Sequence, residues 1–163
     1  MAANELIDRP SGQVTGLALT SLTKLQAVVS WSAFSTAIAD TGNSPITSYL
    51  VERNCTGCSY APSGWFTLSA NSLATSLTIP VSATEQNGMT YNQVYKVRVT
   101  PLNICGAGYN PVSIYLTTKV APSAPLVAFP PVKTALSATL ITVTWPALGT
   151  SEDETGGYAI TGY

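Results

Sequence analysis

The side chains that could carry nucleophilic or acid–base chemistry are scarce in this chain. It contains no histidine, so neither a Ser-His nor a Cys-His pair can be built. Nothing in the sequence places a lysine beside a serine in a cleft. No two carboxylates have reason to face each other across a groove, as glycoside hydrolysis requires. No glycine-rich loop leads from a strand into a helix to hold phosphate. We therefore predict that the chain is not an enzyme and binds no cofactor.

The three cysteines offer a different kind of chemistry. Cys55 and Cys58 lie in the sequence Cys-Thr-Gly-Cys, and Cys105 stands far from both. A structural zinc site needs four ligands, which three cysteines without histidine do not supply, so we expect no metal site. A redox CxxC motif normally opens a helix, whereas the residues on both sides of this one are typical of strands. The pattern favours a small structural disulfide between Cys55 and Cys58, with free thiols as the alternative.

Two further short segments could carry a modification or an ion. Asn54 begins the only acceptor sequon for N-glycosylation, at what we expect to be the exposed end of the third strand. The acidic run at residues 152–154 could offer oxygen ligands to Ca²⁺. It lacks the regular ligand spacing of a calcium loop, so a solvated acidic loop is the simpler interpretation.

Composition limits the partners of this protein. Charged residues make up 9 % of the chain and the net charge is −1, so no basic surface exists that could bind nucleic acid. No apolar run approaches the ~18 residues that a membrane span requires. A surface so poor in charge must be kept soluble by hydroxyls, amides or attached glycans, which favours an extracellular or cell-surface location. Exposed aromatic residues could anchor protein contacts. The candidates are Tyr60, Trp65, Tyr109 and Tyr115, with packing on a sheet face as the alternative for Trp65.

Short runs of alternating apolar and polar residues, separated by Gly, Pro, Asn and Ser, predict an all-β fold. Seven such runs precede residue 119, the number expected of an immunoglobulin-like sandwich. We place them at Val14–Leu19, Leu25–Trp31, Thr47–Arg53, Trp65–Leu68, Ser76–Ile79, Tyr95–Asn103 and Pro111–Thr118.

The period of two assigns a face to each residue of these strands. In the second strand we expect Trp31 to point into the core together with every second residue before it, back to Leu25. In the sixth strand Tyr95, Val97 and Val99 face inward, while Lys96 and Arg98 between them face solvent. A slip of one residue would bury those cations at a cost of several kcal/mol, so the register of this strand is well defined.

An internal repeat is the strongest signal in the sequence. Trp31 and the Ile-Thr-Ser-Tyr sequence that ends at Tyr49 return 114 residues later as Trp145 and the Ile-Thr-Gly-Tyr sequence that ends at Tyr163. The strand before each tryptophan matches as well. The unit therefore starts twice, and the proline-punctuated residues between the copies are predicted to form an extended, semi-rigid linker.

Four motifs in the first copy resemble the fibronectin type III family. They are VVSW at residues 28–31, SPITSYLVE at 44–52, GW at 64–65 and YKVRVTPLN at 95–103, followed by GAG at 106–108. The resemblance covers a full unit at about residues 10–118 and the front of another at 122–163. It departs from the family pattern at residues 80–92 and in the loop that carries the cysteines.

The resemblance implies a fold and a set of core residues. We predict an all-β, immunoglobulin-like seven-stranded sandwich followed by the first strands of a second one. By the resemblance, Tyr95 is the tyrosine-corner residue, whose hydroxyl bonds to the backbone a few residues upstream. We expect the core to include Trp31, Tyr49, Tyr95, Val97 and, in the second copy, Trp145.

These observations predict a division of the chain and a function. The division is a leader segment at 1–9, a complete module at 10–119, a linker at 120–125 and a truncated second module at 126–163. We expect strands of a longer polypeptide, or of a neighbouring copy, to complete that second module.

The predicted function is that of a structural and interaction protein, extracellular or on the cell surface, which includes adhesive and fibre-forming repeat proteins. Its partners are other protein modules, including copies of itself. The alternatives are an accessory module of a larger enzyme or receptor, and an intracellular scaffold.

Overall fold

The computed structural model describes residues 6–56, 58, 64–82, 88–122, 131–147, 149, 152–156 and 159–162. These residues form two packed antiparallel sheets and a separate hairpin, which confirms the predicted all-β sandwich. The strands are β1 Ala18–Leu22, β2 Gln26–Ser30, β3 Ser48–Thr56, β4 Phe66–Ser72, β5 Ser76–Pro80, β6 Val94–Asn103, β7 Gly106–Ala107, β8 Val112–Thr117, β9 Val132–Leu136 and β10 Ile141–Thr144. Two single-turn helices, α1 Ile38–Thr41 and α2 Glu152–Thr155, complete the elements.

The sandwich pairs a small sheet with a large one. The small sheet has the order β1-β2-β5, and the large sheet has the order β4-β3-β6 with both β7 and β8 on the far edge of β6. The β3–β6 ladder runs without a register shift from Ser48↔Leu102 to Thr56↔Val94. This long ladder determines which side chains of both strands share a face, and so it positions the outward residues of β3 and β6 described below.

The core lies between the inner faces of these two sheets. Trp31 is 5 % exposed, and its ring meets that of Tyr49 edge-to-face with centroids 5.5 Å apart. Tyr49 in turn accepts a hydrogen bond of 2.9 Å from the backbone N–H of Phe34 through its hydroxyl. Full burial stabilises the fold by about 1.5–3 kcal/mol for each large apolar side chain. The remaining buried apolar residues are Val14, Ala27, Val29, Phe34, Val51, Ile79, Val81, Met89, Tyr91, Tyr95, Val97, Val99 and Leu116.

The first hairpin differs from the expected one in its strand bounds. β1 begins at Ala18 rather than near Val14, because the backbone beside Val14 bonds to a loop and not to a strand: Ser32 N–H donates to Thr15 O at 2.8 Å. Leu25 was expected to face the core but is 64 % exposed. It lies in the β1–β2 turn, where the hydroxyl of Thr23 accepts its N–H, so the alternation of faces starts only at β2.

The long segment before β6, where the family pattern breaks, contributes directly to the core. Val81 and Met89 form an isolated parallel bridge, and both are buried. Tyr91 is buried as well, just before β6 begins. Val81, Met89 and Tyr91 therefore add apolar side chains to the core of the sandwich.

The β9–β10 hairpin reproduces the β1–β2 hairpin at the offset of 114 residues seen in the sequence. Both hairpins carry a bulge at the equivalent threonine, Thr20 or Thr134. In both, the hydroxyl of that threonine donates to a carbonyl of the partner strand, Val28 O at 3.1 Å and Thr142 O at 3.4 Å. The helices α1 and α2 stand at the same offset. The repeat seen in the amino-acid sequence is therefore also a repeat of local structure.

The two hairpins differ in what covers them. Trp145, which we expect in the core of a completed second module, is 49 % exposed among the described residues. Ile141 and Val143 on the same strand are exposed too. The physical reason is that β9 and β10 form a sheet of only two strands, and no described strand faces it as β3 and β6 face β2.

Candidate interaction surface

The outer face of the large sheet concentrates charge in a chain that has little of it. Glu52 pairs across the ladder with Arg98, and Asn54 pairs with Lys96. Because side chains alternate along a strand, these four point away from the core that Val97 enters. The face continues onto β8 through Tyr115, which pairs with Lys96. We call this set of outward side chains on β3, β6 and β8, together with Trp65 beside β4, the outer face.

An ion pair covered by an aromatic ring occupies the centre of the outer face. Arg98 Nε donates to Glu52 Oε2 at 2.7 Å, and the guanidinium carbon of Arg98 lies 3.9 Å from the centroid of the Trp65 ring. Glu52 is only 8 % exposed, although its side chain points outward. Trp65 is itself half-buried. It packs on the sheet face, which is the alternative that the sequence offered for this residue. Glu52 and Arg98 therefore satisfy each other's charge, and the Trp65 ring covers the pair.

The β8 side of the outer face is more open. Lys96 Nζ lies 5.4 Å from the centroid of the Tyr115 ring, and Tyr115 is 67 % exposed. Ser113, the next outward residue on β8, is exposed as well. A tyrosine held by a neighbouring cation presents apolar area and a hydroxyl at little conformational cost.

A third cation stacks on aromatic rings, but on the core side of the large sheet. Arg53 pairs with Val97 and is buried, with its guanidinium carbon 4.7 Å from the Phe66 ring centroid and 5.4 Å from that of Tyr95. None of these four cation–ring contacts, which involve three cations, was predicted from the sequence. The partners come from different strands, so their pairing depends on a register that composition does not reveal.

Replacing Arg98 with alanine should destabilise the first module by about 1–3 kcal/mol, because it leaves the nearly buried carboxylate of Glu52 without its partner. Lys96→Ala is the matched control on the same strand and face, and it should cost less than about 0.5 kcal/mol. Urea unfolding of the two variants measures both values. Equal losses in the two variants would show that the Glu52–Arg98 pair contributes no more than an exposed contact.

The cysteine turn lies at one end of this sheet, beside the tyrosine corner. Cys55 and Cys58 are joined in a disulfide, with Cα atoms 5.6 Å apart. Cys58 Sγ lies 3.8 Å from the hydroxyl of Tyr95, and the same hydroxyl accepts the Thr90 N–H at 2.8 Å. That bond to the backbone five residues upstream is the contact that the family resemblance implies for Tyr95. Cys105 is a free, half-buried cysteine just past the other end of β6.

The other sequence candidates are placed as follows. Asn54 is half-buried within β3 rather than at its exposed end, and it faces outward beside Lys96. Tyr60 and the side chains of residues 152 and 153 lie outside the described residues. Within the described ranges, no three His, Cys, Asp or Glu residues gather as metal ligands would. No helix of this part of the chain has the length and apolar character to cross a bilayer.

Known structures share this fold. The third fibronectin III domain of the human KIAA0343 protein superposes with a TM-score of 0.53 at 14 % identity, covering 77 % of this chain and 97 % of that domain. A crystal structure of titin domains gives a TM-score of 0.51 at 22 % identity, covering 69 % of this chain but only 33 % of that one. No family profile matches the sequence. No curated protein matches it either.

The class of protein follows from the topology together with these superpositions. The sandwich is a fibronectin type III-like module, with the strand order and corner tyrosine described above. At such low identity the likeness establishes the fold alone. Function must therefore be argued from the surface of this chain.

Proposed function

We propose that this chain is a non-enzymatic structural and interaction part of a modular extracellular or surface protein, in which sandwiches act as spacers and contact surfaces. The division we propose is the one predicted from the sequence, with a complete module at 10–119 and the front of a second at 126–163. Its partners are other protein modules, including copies of itself.

The outer face is the observation that supports this proposal. Protein interfaces are enriched in Tyr, Trp and Arg at their centres, and rigid aromatic anchors lose little entropy on binding. Tyr115 supplies such an anchor beside Lys96, and the Glu52–Arg98 pair with Trp65 supports it from the neighbouring strands. No part of the described structure gathers groups for catalysis in the same way.

An extracellular or surface location is supported by the cysteine chemistry. A disulfide such as Cys55–Cys58 persists in oxidising compartments and is rare in the cytosol. The low charge of the chain agrees with this location. Glycosylation at Asn54 is part of the proposal, since its sequon borders the same turn.

Photo-cross-linking in the natural host tests the interaction role. A photoreactive amino acid at position 115 of the parent protein should give adducts with a protein partner. The matched position is Thr78, which is exposed on the outer side of the small sheet. Equal adduct yields at positions 115 and 78 would contradict the outer face as a contact surface. Unreduced digests of the same material should contain the Cys55–Cys58 disulfide, and free thiols at both positions would contradict the proposed location.

A further inference from the structure

The chain that enters the first module is bound in a groove between two loops. One wall is the β2–β3 loop with α1, where Asp8 N–H donates to Gly42 O at 2.8 Å and Ser11 N–H donates to Asp40 O at 2.9 Å. The other wall is the β6–β8 loop, where Tyr109 N–H donates to Pro10 O at 3.0 Å. We call this space, between residues 37–42 and 103–110, the N-terminal groove.

Polar side chains hold the same segment from the second wall. Asn103 Nδ2 donates both to Asp8 O at 2.6 Å and to Thr41 O at 2.9 Å, so it joins the segment to the other wall. The Tyr109 hydroxyl donates to Asp8 Oδ1 at 2.9 Å. The Arg9 N–H and this hydroxyl lower the pKa of the Asp8 carboxyl, and the bond to Asp8 raises the pKa of Tyr109.

A glycine makes the close approach of the entering chain feasible. Gly42 follows α1 with φ of 67°, and a Cβ at this position would collide with the carbonyl oxygen of Asp8. Only a residue without a side chain combines this left-handed conformation with this contact.

The second unit repeats this arrangement with the linker as the entering chain. Gly156 follows α2 with φ of 67°, and a Cβ there would collide with the carbonyl oxygen of Val120. Val120 N–H donates to Gly156 O at 2.8 Å, as Asp8 N–H does to Gly42 O. The sequences agree too, since Arg9-Pro10-Ser11 is answered by Ala-Pro-Ser at residues 121–123.

The other end of the linker is fixed in the first module. Thr118 is buried, and its hydroxyl donates to Thr90 O at 2.6 Å and accepts the Gln93 N–H at 3.0 Å. Its own N–H donates to Gln93 O at 3.0 Å. Lys119 is the only residue between this anchor and Val120.

We propose that Thr118 to Pro122 form a stiff joint, in which the first module holds Thr118, the second holds Val120 against Gly156, and the angle between modules is thereby fixed. The N-terminal groove of the first module holds residues 8–11 in the same way. This inference rests on the module division proposed above. The sequence predicted a semi-rigid linker from its proline content. The structure adds the hydrogen-bond partners of the linker, Gln93 for Thr118 and Gly156 for Val120.

Amide hydrogen exchange by NMR on the full 163-residue chain tests the joint. The Val120 amide should exchange at least about tenfold more slowly than in an unstructured peptide, and Gly156→Ala should remove most of that protection. Rotational correlation times from ¹⁵N relaxation should agree for the two units in the wild type and separate in Gly156→Ala. Gly162→Ala is the matched control, because a Cβ there meets no atom within 4 Å and should leave Val120 unchanged.

The exchange rates of two further amides distinguish failure of the joint from unfolding of either unit. Thr118 reports on the first module, and Ser137, whose N–H donates to Leu140 O at 2.8 Å, reports on the second hairpin. Free exchange at Val120 in the wild type, with Thr118 protected, would overturn the joint whether or not Ser137 is protected. An unchanged Val120 rate in Gly156→Ala would overturn it as well. Loss of protection at Thr118 itself would contradict the module boundaries.

Discussion

Replacing Trp31 with alanine should destabilise the first module by about 3–5 kcal/mol, as expected when a large aromatic side chain leaves a cavity. Trp31 is 5 % exposed and contacts Tyr49 edge-to-face at the centre of the sandwich. Its indole N–H has no hydrogen-bond partner among the described residues, so the loss comes from packing and transfer. Such a change removes much of the stability of a domain of this size. Urea unfolding followed by circular dichroism measures it.

The repeat provides a matched control for this change. Trp145 occupies the equivalent position 114 residues later but is 49 % exposed. We therefore expect Trp145→Ala to change the unfolding free energy of the first module by less than about 0.5 kcal/mol. A loss below about 1 kcal/mol for Trp31→Ala would show that the core contacts of Trp31 contribute little.

The exposed face of the β9–β10 hairpin should make the chain self-associate as its concentration rises. Ile141, Val143 and Trp145 expose apolar area beside a sheet whose two edges are paired with no described strand, and both features favour pairing with another chain. A second copy can cover this face with its own hairpin in a symmetric contact. Sedimentation velocity over a range of concentrations should show a reversible monomer–dimer equilibrium.

Ile141→Ser should weaken that association at least about tenfold, because burying one such side chain is worth about 1.5–3 kcal/mol. Leu25→Ser is the control, since Leu25 is equally exposed but lies in the turn of the covered hairpin. A dimer of unchanged strength in Ile141→Ser would exclude the hairpin as the contact. A strict monomer at every concentration would contradict self-association itself.

Much of the fold could be predicted because local patterns and the global fold agree. The alternation in β6 places Tyr95, Val97 and Val99 inward, and only one register avoids burying Lys96 and Arg98. The β1 prediction was less accurate, since the residues around Val14 alternate as a strand does, yet their neighbours bond to loops. Strand bounds depend on which hydrogen-bond partners are within reach, and a single sequence does not contain that information.

The outer face was predictable only in part. The sequence indicates Trp65 and Tyr115 as aromatic candidates and Lys96 and Arg98 as outward cations. It does not show which cation contacts which ring. Their pairing requires the alignment of strands far apart in the chain, with Tyr115 beside Lys96 across β6 and β8. Arg53 is the clearest case, because a cation on a core-facing position becomes acceptable only when two rings from other segments surround it.

Local features of the sequence are enough to predict the all-β class, the inward set of the central strands and the repeat at 114 residues, and they favour a disulfide between Cys55 and Cys58. Each is local, resting on a period of two, a spacing or a short motif. Contacts between distant segments determine which ring each cation meets, that Trp145 is exposed while Trp31 is buried, and that the linker bonds to Gly156. Those outcomes depend on what lies opposite a residue in space. Similar motifs, such as the two strands that precede Trp31 and Trp145, therefore reach different environments.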